Sequence, residues 1–161
     1  MSLTNEQKAR VGMWLRTARC YNLAMKALRA TLRDECTMPQ FDILAQIARH
    51  EDGLTFSELS RLLLVTAGNL TGIVDRLEKQ QFVYRQTNPK DRRQTFIKLT
   101  EQGRVYCDEI IPQHERDIAE LFGGLSDQTV MSLREGLGAM AELLRARVDQ
   151  MANGEEGPGG A

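Results

Sequence analysis

The sequence predicts a mainly α-helical chain with one small basic hairpin near its middle, and three observations predict it. Helix start signals at Thr4, Thr37, Thr55, Thr66 and Ser126 stand ahead of apolar residues spaced three and four apart. Short runs of β-branched and aromatic residues occur at Phe82-Val83-Tyr84 and Thr95-Phe96-Ile97-Lys98-Leu99, around a polar turn containing Asn88-Pro89-Lys90-Asp91. The 161 residues, 42% hydrophobic and 27% charged, are enough to bury one ordinary core.

Taken in order, the first helix opens at the box Thr4-x-x-Gln7 and runs to about Arg33. At 100° per residue, Trp14, Cys20, Tyr21, Ala24, Met25, Leu28 and Leu32 share one face, opposite Arg19, Lys26, Arg29 and Arg33, so one side packs and the other is wet. A second helix follows Thr37-x-Pro39-Gln40, where proline is tolerated in the first turn, and carries Phe41, Ile43, Leu44 and Ile47 to about His50. Thr55-x-x-Glu58 opens a third, with Leu59, Leu62 and Leu63 inward, and Thr66 caps a fourth. There Leu70, Ile73, Val74 and Leu77 hold the inward positions and leave Gly68, Asn69, Gly72, Asp75, Arg76 and Lys79 outside, with Thr71 at the flank. After the hairpin, helix resumes at Thr100 and passes Pro112, which should kink it, to Leu121-Phe122. Ser126 caps the last helix, with its stripe of Leu133, Leu137, Met140, Leu144 and Val148. From Ala152 the glycine-rich tail is too polar to pack and reads as disordered.

Helix, tight corner, helix and basic hairpin together spell a winged helix-turn-helix, and the long flanking helices carry more apolar stripe than so small a module covers. A homodimer would bury the surplus. Charge supports a phosphate-binding role: the net charge is −1, yet residues 1 to 33 hold seven Lys and Arg against one acid, and residues 101 to 161 hold five against twelve. Within the neutral centre, Arg85, Lys90, Arg92, Arg93 and Lys98 face Asp91 alone.

Other classes lose ground on the same residues. Cys20, Cys36 and Cys107 form no CxxC pair, so neither a disulfide framework nor a zinc site is expected, and no metal or cofactor. No run approaches the roughly 20 apolar residues of a membrane span, and the start MSLTNEQKAR reads as polar helix, so a soluble, cytoplasmic protein without membrane partners is expected. His50 and His114 have no recognisable nucleophile beside them and no glycine-rich phosphate loop appears, which argues against an enzyme.

Residues 37 to 104 resemble the MarR family of bacterial transcriptional regulators. The likeness is carried by TAGNLTGIVDRLEKQQFV, Thr66 to Val83, and by DRRQTFIKLT, Asp91 to Thr100, whose Asp-x-Arg, hydrophobic alternation and Leu-Thr are similar to the family's wing signature. The resemblance implies one domain over 1–161, with dimerisation helices at 4–36 and 101–150, the winged helix-turn-helix at 37–100 and a disordered tail at 152–161. It implies that Ala67 to Lys79 enters the major groove of double-stranded DNA, with Gly68, Asn69, Thr71 and Gly72 nearest the bases and Arg76 near phosphate. Arg93 would enter a narrow minor groove, Asp91 would hold the turn or the guanidinium, Arg92 would lie beside it, and Lys90 and Arg85 would contact the backbone. Gly68 and Gly72 offer no side chain for base reading, so part of the readout is expected from DNA shape. The sequence departs from the family at Gln81, where a glycine usually ends the recognition helix.

The family also implies a pseudo-palindromic operator with half-sites about 10 base pairs apart, and a small-molecule effector, often an aromatic acid, held between the dimerisation helices and the winged module. Trp14, Arg16, Cys20 and Phe41 are the candidate effector contacts, an aromatic wall with one guanidinium suiting a planar carboxylate. The expected function is a repressor released by such a ligand. Two alternatives stand beside it: a thiol-based redox regulator of the same fold, or a helical protein-interaction module without DNA binding. In the peroxide-sensing branch of the family the reactive position falls on Met13 here, aligned on Pro39. Cys20 belongs to the apolar face, where a thiol stays inert, and Cys36 is the most exposed remaining candidate.

Overall fold

The computed structural model describes residues 3–32, 36–88, 91 and 93–154. The chain divides into two compact units, Met1–Leu121 and Phe122–Ala161. The first holds helices α1 (Asn5–Arg29), α2 (Met38–Ala48), α3 (Phe56–Leu63), α4 (Ala67–Lys79) and α5 (Glu101–Leu121), with strands β1 (Leu54–Thr55), β2 (Val83–Thr87) and β3 (Thr95–Leu99). The second is built on one helix, α6 (Asp127–Gly154).

Three of the expected start signals, Thr4, Thr37 and Thr55, form reciprocal capping boxes with Gln7, Gln40 and Glu58. Thr4 Oγ1 accepts from the Gln7 N–H at 3.2 Å while Gln7 Oε1 accepts from the Thr4 N–H at 2.8 Å. At α3, Thr55 Oγ1 accepts from the Glu58 N–H, and Glu58 Oε2 accepts from both the backbone and the hydroxyl of Thr55 at 2.8 Å. Those bonds favour the ionised carboxylate and hold the Glu58 pKa below its ordinary value. Ser126 Oγ accepts from the Thr129 N–H at 3.2 Å and caps α6.

The core of the first unit is assembled from α2, α3, α4, the sheet and α5. Ile43, Leu44, Ile47, Leu59, Leu70, Val74, Leu77, Val83, Ile97 and Cys107 are its fully buried side chains. Each such Leu, Ile or Val contributes roughly 1.5–3 kcal/mol relative to exposure. Gln40 is buried at the start of α2 and donates through Nε2 to Gln80 Oε1 at 2.8 Å, which ties that helix to the end of α4.

The strands form one antiparallel sheet in the order β1-β3-β2. Val83 pairs with Leu99 and Arg85 with Ile97, while Leu54 pairs with Ile97 from the other side. The third strand was not among the expected elements, because two residues are too few to show an alternation.

Boundaries differ from expectation in three places. Helix α1 stops at Arg29 rather than Arg33, since Ala30 and Thr31 turn back onto the carbonyls of Ala27 and Leu28 and the Thr31 hydroxyl donates to Leu28 O at 2.9 Å. Helix α2 ends at Ala48, two residues before His50. Helix α6 continues to Gly154, so Ala152–Gly154 are helical where a disordered tail was expected; the rest of that tail lies outside the described residues.

The apolar face expected for α1 is packed only in part. Leu28 is buried and Ala24, Met25 and Leu32 half-buried, but Trp14, Cys20 and Tyr21 are exposed, because the earlier half of the helix is not covered by the rest of its unit. In the second unit Leu133, Leu137, Leu144 and Val148 are exposed as well.

Candidate nucleic-acid interface

Helix α4 presents two unlike sides. Leu70, Val74 and Leu77 are fully buried and Ile73 half-buried, as the spacing requires. Gly68, Asn69, Thr71, Gly72 and Arg76 are exposed. The space where a Cβ would stand on Gly68 or Gly72 is open for 4 Å, so the helix backbone is bare there.

Left-handed residues stop both α3 and α4. Leu64, at φ 54°, makes the corner from α3, with the Val65 N–H donating to Ser60 O at 3.2 Å. Gln81 has φ 61°, so it takes the conformation that glycine usually supplies. Around it the Gln81 N–H donates to Glu78 O and the Phe82 N–H to Leu77 O, each at 3.0 Å, the paired bonds of a Schellman stop. Thr100 closes the other side, its N–H donating to Phe82 O at 3.1 Å and its hydroxyl to Gln81 O. The start of α5 passes so close that a Cβ on Gly103 would lie 1.9 Å from Phe82 O. Nothing in the spacing of the sequence pointed to Gly103; only the approach of two backbones reveals it.

The hairpin tip is organised by Asp91. Its Oδ1 accepts the Arg93 backbone N–H at 3.0 Å and lies 3.4 Å from Arg93 Nε. The turn is closed by Gln94 N–H to Asp91 O and Asn88 N–H to Gln94 O, both 2.9 Å. The Arg93 side chain remains 94% exposed, while Asp91 is half-buried. A guanidinium held at its base and free at its end can reach a neighbouring polyanion. Lys90 and Arg92 lie outside the described residues.

Arg85 differs from Arg93. Its side chain is 30% exposed, Nη2 donates to Asp75 Oδ1 at 2.6 Å and Nη1 donates to Glu78 Oε2. The guanidinium carbon also lies 5.7 Å from the Phe56 ring centre, over its face. The two acids on α4 that hold it were not singled out by sequence reasoning, which placed Asp75 on the outward side; it is half-buried. Between the start of α3 and the wing is a hollow of about 380 Å³ lined by Thr55, Phe56, Ser57, Arg85, Arg93, Gln94 and Thr95.

The four candidate effector contacts do not come together on one buried wall. Trp14, Arg16 and Cys20 are exposed on α1. Phe41 is buried, with its ring centre 4.3 Å from that of His114 on α5. His114 is itself buried, a residue the sequence left unassigned because its neighbour comes from another helix. The cysteines also reverse the expectation: Cys20 is exposed, whereas Cys36 is buried in the core cluster with Met38 and Phe41. Cys107 is buried too, and desolvation, with Asp108 nearby, pushes its thiol up to about 11. Among the described residues no helix is long and apolar enough to cross a membrane.

Comparison with known proteins places this architecture. Residues 36–95 match the model of the MarR family. Over 80 residues the chain is 44% identical to YkoM of Bacillus subtilis, described as an uncharacterized HTH-type transcriptional regulator; that match covers 47% of this chain and 51% of YkoM, so it spans only about half of that relative. It is 31% identical over 105 residues to MhqR of the same organism, an HTH-type transcriptional regulator, covering 62% of this chain and 72% of MhqR. Among solved structures it is similar to Sco3205 from Streptomyces coelicolor, a MarR family transcriptional regulator crystallised in complex with DNA, at TM-score 0.75 and 27% identity, covering 89% of this chain and 94% of that one. Exposed α4, the Asp91-anchored wing and these likenesses converge: the chain belongs to the MarR family of DNA-binding transcriptional regulators, not to an enzyme family.

Proposed function

We propose that the protein is a homodimeric repressor in the cytoplasm that reads a pseudo-palindromic operator and leaves it when a small molecule binds. The observation that carries this reading is the pairing of a bare, exposed α4 surface with an exposed guanidinium anchored at the hairpin tip. Gly68 and Gly72 let the helix backbone approach the major groove. Asn69 donates to and accepts from a base edge, Thr71 offers a hydroxyl or a methyl, and Arg76 pairs with phosphate. Arg93, steadied by Asp91, enters the minor groove, and Lys90 and Arg92 add positive charge from the same stretch of sequence.

Dimerisation is supported by the exposed Trp14, Leu15, Tyr21 and Leu23 on α1 and by the exposed stripe of α6, apolar area that a second copy would cover. The effector is a planar acid. Trp14, Arg16, Cys20 and Phe41 are the proposed contacts; the first three, exposed in the subunit, become one side of a cleft only when a partner lies across α1. A ligand that binds the DNA-incompetent arrangement more tightly lowers DNA affinity by linkage.

Retardation of genomic DNA fragments at two salt concentrations tests the reading. Specific, salt-sensitive retardation that Arg93→Ala largely removes is the expected result. Equal binding to every fragment, or to none, rejects it. A thermal-shift screen of small aromatic acids, followed by DNA release with the hits, tests the switch; stabilisation without release rejects the effector role.

A further inference from the structure

We infer that Arg85 is a positioning residue that locks the wing to the recognition helix, rather than one of the groups that grip the DNA backbone. The inference rests on the regulator reading above and replaces the phosphate contact that the sequence assigned to Arg85.

Strand geometry gives the first reason. Side chains alternate along β2, so Arg85 shares the face of buried Val83, while Tyr84 and Gln86 point the other way and are exposed. A residue on that face is turned toward α4, and the Arg85 side chain keeps only 30% of its surface exposed. Helix geometry gives the second. Asp75 and Glu78 are three apart on α4, which brings both carboxylates to one flank of the helix, between its buried stripe and its bare surface.

The guanidinium bridges that pair, one nitrogen to each acid, with the Phe56 ring of α3 beneath it. One cation thus ties strand, recognition helix and the helix before it. Its charge is already matched by two carboxylates, and its donors aimed at them are used. A phosphate at this point would meet a neutralised or net negative cluster. Arg93, with a 94% exposed side chain and a single acid at its base, has the opposite character.

Lysine cannot do the same work, because a single ammonium does not reproduce the planar fork that reaches two acids at once. The bridge fixes the offset between the groove-reading helix and the hairpin, and operator binding needs both in register.

The test measures operator affinity of the full-length protein across a salt series for wild type, Arg85→Ala, Arg85→Lys, the double variant Asp75→Asn with Glu78→Gln, and Arg93→Ala as reference, with folding of each checked by thermal melting. For a positioning residue, Arg85→Ala and Arg85→Lys each weaken binding about tenfold. The slope of log affinity against log salt then stays at the wild-type value. The double variant also weakens binding although it removes two negative charges, and adding Arg85→Ala to it costs little more. For a phosphate contact, Arg85→Ala lowers the slope by about one, Lys restores it, and the double variant binds tighter at the higher salt. Either a lowered slope or tighter binding by the double variant overturns the inference. Should Arg85→Ala not fold, Arg85→Lys and the double variant decide alone. Absence of specific binding by wild type sinks the regulator reading itself, whereas normal wild-type binding with a lowered slope in Arg85→Ala sinks only the role of Arg85.

Discussion

Gly103 and the carbonyl oxygen of Phe82 stand so close that a Cβ on the glycine would lie 1.9 Å from that oxygen. The contact is backbone on backbone, so no rotamer change relieves it. Gly103→Ala must push the start of α5 away from the turn between α4 and β2, and a loss of about 3 kcal/mol is expected. Chemical denaturation measures it; a loss below ~1 kcal/mol would mean the two segments separate easily.

Gln81 gives the opposite sign. It holds φ 61° without being glycine, so Gln81→Gly relieves a strained position. Stability is expected to rise by about 1 kcal/mol, or Tm by about 2–4 °C. An unchanged or lower melting temperature would show that the Gln81 side chain contributes more than its backbone costs.

Asp91 separates charge from geometry. Removing an acid from the basic hairpin tip should tighten DNA binding if only long-range charge counted. Since Asp91 holds both the backbone and the side chain of Arg93, Asp91→Ala is instead expected to weaken operator binding about tenfold. Asp91→Asn keeps an acceptor for the backbone N–H and falls between. Fluorescence anisotropy with a labelled operator checks the order of the three proteins.

Cys107 predicts a loss of stability at high pH. Its thiol stays protonated in the folded state up to about 11, against an ordinary value of 9.0, so the folded state binds the proton more tightly than the unfolded chain does. The contribution is therefore complete below pH 9 and is lost as pH rises from 9 toward 11, by up to about 2 kcal/mol. Denaturation of wild type and Cys107→Ala from pH 8 to 11 checks it: the variant, though less stable at neutral pH, should lose less over that window.

Much of this was legible in the sequence for a simple reason. Caps and 3.6-residue periodicity are local, and Thr4, Thr55, Ser126 and the Leu70, Val74, Leu77 stripe needed no partner to be read. The departure at Gln81 was visible as a missing glycine, and the backbone there is left-handed. What escaped depends on distant residues meeting. Arg85 looked like any other cation of a basic hairpin until Asp75 and Glu78 were seen across from it, Gly103 was one glycine among thirteen, and His114 had no neighbour until Phe41 packed on it. Trp14 failed in the reverse way: its helix phase is apolar, but the surface it was expected to pack on is not within its own unit.

The open ground beside Gly68 and Gly72 bears on how such a regulator changes its target over evolutionary time. Nothing stands within 4 Å of either missing Cβ, so a new side chain could be tried at either position without disturbing the core beneath. Most alternatives to glycine also favour helix, by up to about 1 kcal/mol. On the proposed reading, a single codon change here would alter the surface that meets the operator and gain helix stability together, while the fold stays as it is.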